Sequence, residues 1–189
     1  MNVAKSTASQ YFTDRGSHTW AIDSVDYLHW KQTVAGIGDN LYYPIGIVTS
    51  GDFATMLVNA YGLTATGSVS FKDVPADRYY TDAIRVVTLL DIVSGNNGYF
   101  RPKDPITRQD AMVMIYNTMK ISGKAATNGL AADFSAYHDE GQIDPYAREA
   151  MGSLIQMGVV TGVGNGYLRP QGQLSRAEAA VLLHTIMTL

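Results

Sequence analysis

Three stretches of the chain are copies of one another, and this triplication limits the fold more than any other feature. "YLRPQGQLSRAEAAVLL" (Tyr167 to Leu183) aligns with "YFRPKDPITRQDAMVMI" (Tyr99 to Ile115) and, more loosely, with "LYYPIGIVTSGDFATML" (Leu41 to Leu57). Pro44, Pro102 and Pro170 each precede a hydroxyl residue, Thr49, Thr107 or Ser175, by five positions. Upstream, Gly36, Gly95 and Gly162 fall in register, as do the aromatics Trp20, Tyr79 and Tyr146. From aromatic to hydroxyl the interval is 29, 28 and 29 residues in chain order. Each copy opens with a phenylalanine: Phe12, Phe71 and Phe134. Self-similarity at a fixed period marks units that cannot bury their apolar faces alone and must pack against each other.

Each copy reads as helix, loop, helix. In the second, Ile84, Val87 and Leu90 make one apolar stripe, and in the third Ala147, Ala150, Met151, Leu154 and Ile155 do the same. The glycine-rich middle, "SGNNGYFRPKDP", is loop by its turn chemistry, and Pro102 and Pro105 keep it from joining the helix that follows. The second helices are expected to bury Ala111, Met112, Ile115 and Met119, and Ala180, Val181, Leu183 and Met187. "SGKAATNGLAAD", 122–133, is small and polar and reads as a surface linker. The expected product is one compact all-α domain across 1–189, with units at about 11–64, 70–122 and 133–189.

Bulk properties narrow the function. A hydrophobic fraction of 46% against 16% charged describes a chain with a core, not a disordered one. The formal net charge of -3, with no basic block, argues against a nucleic-acid partner. Without cysteine there is no disulfide, thiolate metal site or cysteine nucleophile. No apolar run is long enough to insert in a membrane. The opening "MNVAKSTASQ" is no secretory signal, so an exported parent would imply that this chain is a piece of it. Catalysis finds little support. His18, His29, His138 and His184 are scattered, and neither a Gly-x-Ser-x-Gly elbow nor a phosphate loop is present. Asp139, Glu140 and Asp144 cluster, but Gly141 and Pro145 make that stretch read as a solvated turn. "GNNG" lacks the alternating acids of a calcium loop, so neither metal nor cofactor is expected.

The most informative step is the start of each second helix. Thr49 with Asp52, Thr107 with Asp110, and Ser175 with Glu178 all have the form of a capping box, in which hydroxyl and carboxylate satisfy orphan N–H groups. Such a cap typically contributes about 1 kcal/mol. It does not explain Arg108 and Arg176, cations at the first helical position, where the helix end is already positive. Beside free helix N–H groups a guanidinium makes an anion site; the alternative is a contact with a neighbouring unit. The first copy has Ser50 there, so any anion site it holds is weak or absent. Trp20, Tyr79 and Tyr146 start the first helices, where an aromatic more often faces the core. Tyr42, Tyr43, Tyr80, Tyr99 and Tyr167 also fall at loops or helix starts. Rings with polar tips suit sugars, which are apolar on one face and hydroxylated at the rim.

These features resemble the S-layer homology domain in its three-motif form. The resemblance rests on Phe71-x-Asp73-Val74, Ala83-Ile84 and "DIVSGNNGYFRPKDPITRQDA", and on Ile106-Thr107-Arg108-Gln109-Asp110 and Leu174-Ser175-Arg176-Ala177-Glu178, which follow the family's Ile-Thr-Arg-Ala-Glu signature. It implies a three-pronged, pseudo-threefold domain with first helices gathered at the axis and grooves between motifs. It also implies a non-catalytic module, monomeric in isolation, that anchors an exported protein to a bacterial cell surface. The implied partner is an acidic secondary cell wall polymer, often a pyruvylated amino sugar. A protein-protein interaction or S-layer assembly module is the alternative. Carried over by position, Arg108 and Arg176 would meet the carboxylate, with Trp20, Tyr79 and Tyr146 and the loop glycines Gly36, Gly95 and Gly162 around the ligand. Two departures stand out: Ser50 replaces the arginine, and Ala136 occupies the place of Asp14 and Asp73.

Overall fold

A computed structural model describes residues 9–14, 16, 18–125 and 133–189; most of the expected linker, 122–133, lies outside the described residues. Six α-helices are described: α1 (Ile22–Trp30), α2 (Ser50–Tyr61), α3 (Thr81–Leu89), α4 (Arg108–Ile121), α5 (Arg148–Gln156) and α6 (Arg176–Met187). Two of them, α1 and α5, are entered through a single 3-10 turn holding the expected aromatic, Thr19–Ala21 and Pro145–Ala147, and Tyr79 stands two residues before α3, next to its N-cap Tyr80. The protein is all-α, as its periodicity requires.

The start of each even-numbered helix is local chemistry. Thr49, Thr107 and Ser175 are N-caps in extended backbone, each accepting from the N–H three residues on. The reciprocal carboxylate bond to the cap N–H forms in α2 and α6. In α4 the Asp110 carboxylate takes the Thr107 hydroxyl at 2.6 Å, as Asp52 and Glu178 take theirs, but not the cap N–H, so the second capping box is only half made.

The main packing partner of each helix lies in a neighbouring unit. The second helix of each unit lies on the first helix of the next: α2 on α3, α4 on α5, and α6 back on α1. The units are therefore joined in a ring. The short segments before α2, α4 and α6 also meet one another. Val48 N–H donates to Leu174 O (2.9 Å), Leu174 N–H to Ile106 O (3.2 Å) and Ile106 N–H to Val48 O (3.0 Å). All three side chains are buried. A closed ring of three main-chain bonds satisfies one donor per unit where no sheet is available.

The same logic settles the free ends of the helices. Ser50 and Gly51 N–H donate to Asp104 and Pro102 carbonyls, Arg108 and Gln109 N–H to Gly172 and Pro170, and Arg176 and Ala177 N–H to Gly46 and Pro44. Each unit's proline loop thus caps the helix of the unit before it in the ring. The expectation of free N–H groups beside Arg108 and Arg176 is overturned. With the third N–H taken by the cap hydroxyl, the first three helical N–H groups of each end are spent and have no bond to offer an anion.

Within the helices the apolar faces follow expectation, with one phase error. Ala111, Met112, Ile115 and Met119 are buried, as are Ile84, Val87, Ala150, Met151 and Leu154. In α6, Leu182 and Ile186 take the core places expected of Val181 and Met187. This helix packs against α1 and α2 together.

Candidate functional site

Three grooves open between the units, and each is assembled by the same rule. The first is lined by Gly36 and Asp52 of the first unit, Tyr79 of the second and Arg176 of the third. The second is lined by Gly95 and Asp110, then Tyr146, then Ser50. The third is lined by Gly162 and Glu178, then Trp20, then Arg108. Each groove therefore joins the glycine and cap acid of one unit, the aromatic of the next and the post-cap residue of the one before. Their volumes of 760, 690 and 540 Å³ lie in the range of small-ligand sites. The two arginines, the three helix-start aromatics and the three loop glycines are all brought to a groove, but in combinations that span all three units. In particular, Ser50 is missing its arginine from the second groove, not from the groove of its own unit.

The aromatics face outward. Trp20 is 47% exposed, Tyr79 69% and Tyr146 58%, so the core placement expected of helix-start aromatics fails. The cause is the caps. The Tyr79 hydroxyl donates to Asp52 Oδ1 at 2.5 Å and the Tyr146 hydroxyl to Asp110 Oδ1 at 2.6 Å, standing each ring across the groove mouth. Burial of the hydroxyl end, reinforced by the Asp52 carboxylate, pushes the Tyr79 phenol up to about 12. Tyr146 is raised still further, by burial first and Asp110 second. Gln109 holds the second groove's wall, donating to the Tyr146 hydroxyl (2.8 Å) and to Asp144 Oδ2 (2.6 Å).

The two arginines start alike and end differently. Arg108 Nε donates to Leu168 O and Arg176 Nε to Tyr42 O, equivalent carbonyls in the third and first units. Arg108 then ion-pairs with Glu178 at 3.0 Å and is only 7% exposed. Burial lowers its pKa, with Glu178 opposing and Arg169 adding to the effect. Arg176 Nη2 donates to Ala35 O at 2.7 Å, and its guanidinium lies 4.5 Å from the centroid of the Tyr42 ring. No carboxylate among the described residues pairs with it. For Arg108 the structural role left open by the sequence is thus realised, while Arg176 keeps an unpaired charge at a groove.

The loop glycines are dictated by close approach. A Cβ on Gly36, Gly95 or Gly162 would lie 2.6, 2.8 or 2.6 Å from the carbonyl oxygen of Leu41, Tyr99 or Tyr167. At each, an aromatic ring closes the other side: Phe12, Phe71 and, in the third unit, Tyr137. Tyr137, not Phe134, is therefore the third counterpart, and the apparent loss of the aspartate at Ala136 disappears. Asp139 holds that place. It accepts from Leu168 N–H (2.9 Å) and Arg169 N–H (2.7 Å), as Asp14 does from Tyr42 and Tyr43 and Asp73 from Phe100 and Arg101. Asp139 is buried, so it does not belong to a solvated turn. The clamp explains why Tyr43, Arg101 and Arg169, all non-glycine, hold φ of 60, 60 and 50°.

Three lining residues escaped the sequence reading. Tyr11 and Trp30 extend the first groove and Arg101 lines the second. Trp30 was detectable as one of only two tryptophans, at a helix end where the aligned residues are Leu89 and Gln156. Arg101 was hidden by its motif, in which it reads only as the residue before a proline.

With this geometry in place, comparison with known proteins is informative. The sequence profile of the S-layer homology domain matches residues 70–112 and 136–180, the second and third units. An amylopullulanase from Thermoanaerobacterium thermosulfurigenes is 27% identical over 89% of the chain and 9% of its own length. The surface-layer 125 kDa protein of Lysinibacillus sphaericus is 27% identical over 86% of the chain and 14% of itself. The S-layer protein sap of Bacillus anthracis is 26% identical over 92% and 21%. The chain thus spans less than a quarter of the length of each of these relatives. Residues 70–112 and 136–180, the second and third units, are thus S-layer homology motifs.

Proposed function

We propose that this chain is a cell-surface anchoring module that holds its parent protein to the wall by gripping an acidic wall glycan in its inter-unit grooves. The observation that carries the reading is the common lining scheme, in which an exposed aromatic, a cap acid and a post-cap residue converge from three units. An arginine fork matches a carboxylate, and the ring supplies a face for a sugar. A pyruvylated amino sugar, which offers both in one residue, is the ligand class that fits best. The relatives support the reading: surface-layer proteins and a polysaccharide-degrading enzyme share this region, and attachment is the need common to both. The role is attachment, not catalysis, and the place is the outer face of a bacterial wall.

Sedimentation with purified cell-wall sacculi tests this. The protein is expected to pellet with walls that carry their secondary polymer and to stay in solution with walls stripped of it. Equal pelleting with both would replace the polymer by peptidoglycan or nonspecific adhesion. Failure to pellet with either, for a protein of normal helicity, would favour a protein partner and reject the reading.

A further inference from the structure

The three grooves share a plan but not an electrostatic state, and the difference traces to one atom. In each groove one oxygen of the cap acid serves the helix start: Asp52 Oδ2, Asp110 Oδ2 and Glu178 Oε2 all accept from their cap hydroxyls. The other oxygen faces the groove. In the first two it accepts from a phenol, that of Tyr79 or Tyr146. In the third the aromatic is Trp20, which has no hydroxyl, and Glu178, one methylene longer than aspartate, reaches Arg108 instead. That arginine is neutralised and only 7% exposed. The second groove has Ser50 where the arginine would stand. Only in the first does a phenol satisfy the acid and leave the arginine without a carboxylate among the described residues. Arg176 is held there by two carbonyls and the Tyr42 ring, and its Nη1 has no hydrogen-bond partner among the described residues.

We infer that the groove of Gly36, Asp52, Tyr79 and Arg176 is the one that takes the acidic group of the wall glycan, and that Tyr79 determines this by occupying the Asp52 carboxylate. The inference rests on the anchoring reading and refines it. Arg176 is preorientated with an open donor, so binding an anion there breaks no ion pair. In the Trp20 groove the same ligand would have to displace Glu178 from Arg108 and so break an ion pair whose arginine is buried. Trp30 and Tyr11 also line the favoured groove and offer a wall for the sugar ring.

The two tryptophans report different grooves, Trp30 the first and Trp20 the third, so occupancy can be read groove by groove. The probe is acidic polymer released from sacculi, titrated against intrinsic fluorescence. Binding to the unaltered protein is expected to change Trp30 emission: Trp20→Phe keeps the signal and Trp30→Phe abolishes it. Arg176→Gln should weaken binding by roughly thirtyfold or more, the loss typical of removing one partner of a charge-assisted pair. Arg108→Gln, if helical by circular dichroism, should stay within about threefold of the unaltered protein. Glu178→Gln should free Arg108 and add a second site visible as a new Trp20 response. Should Arg176→Gln fail to fold, Arg176→Lys replaces it, with an expected loss of about tenfold because an ammonium cannot reproduce the fork. A Trp20 response in the unaltered protein, or equal losses for Arg108→Gln and Arg176→Gln, would overturn the assignment while leaving anchoring intact. Absence of binding to both sacculi and released polymer would remove the anchoring reading and this inference together.

Discussion

Replacing Asp139 by alanine tests the correspondence between units at the residue where sequence alignment and structure disagree. Aligned from Phe134, the third unit lacks the aspartate of the other two; in the fold, Asp139 supplies it. Alanine there strands the Leu168 N–H, in a residue 1% exposed, and deprives the partly buried Arg169 N–H of its acceptor. A buried donor left unsatisfied costs about 1–3 kcal/mol, and bonds to a charged acceptor stand at the upper end of that range. Water can reach the Arg169 N–H in part, so its loss adds less, and the sum is about 3 kcal/mol. The clamp also holds Arg169 at a φ of 50°, so the loop would relax and carry with it the Leu168 carbonyl that receives Arg108 Nε. For a chain of this size the expected fall in Tm is about 6–12 °C. Asp139→Asn, which keeps one acceptor oxygen, should lose about half as much. Ala136→Asp should change nothing, since that place is no longer a clamp. Urea unfolding followed by circular dichroism gives the comparison directly. An Asp139→Ala variant within about 0.5 kcal/mol of the parent would refute the clamp and return the third unit to the alignment that begins at Phe134.

Gly95→Ala should destabilise by more than about 2 kcal/mol, because its φ is +68° and the new Cβ would meet Tyr99 O at 2.8 Å; Gly141→Ala, with nothing within 4 Å, serves as the neutral control in the same melts. His184 closes the ring, with Nδ1 2.9 Å from Ser24 Oγ and its imidazole stacked on Tyr27 at 4.5 Å. Burial lowers its pKa, with the Asp23 charge opposing, so the folded state binds its proton less readily than the unfolded chain. Stability from this site is complete above the unfolded value near 6.5 and is lost as pH falls below it, and His184→Gln should flatten that part of a Tm-against-pH curve. Ser50→Arg should give the second groove a cation beside an Asp110 already satisfied by Tyr146, and raise retention on polymer-bearing sacculi; unchanged retention would mean that this groove has diverged at more than Ser50.

What could be read from the chain was whatever depends on neighbours three or four residues away. The caps at Thr49, Thr107 and Ser175, the apolar stripes of α3 to α5 and the all-α class follow from local hydrogen bonding and helical periodicity. Register between copies was equally legible wherever spacing is kept, and this put Gly36, Gly95 and Gly162, and likewise Trp20, Tyr79 and Tyr146, at equivalent places in their grooves. It failed between Phe134 and Tyr137, where a short insertion carries the eye to the wrong aromatic and only contact with Gly162 reveals the right one. The sequence by itself therefore determined the unit, its two helices and the residues that would line a site. Tertiary structure alone decided how those residues are shared, because each helix end spends its first N–H groups on the next unit's carbonyls and so hands its arginine to a neighbour's groove. It also decided which arginine stays open: a tyrosine hydroxyl meets Asp52, while Trp20 has none to offer Glu178, and neither pair is adjacent in the chain.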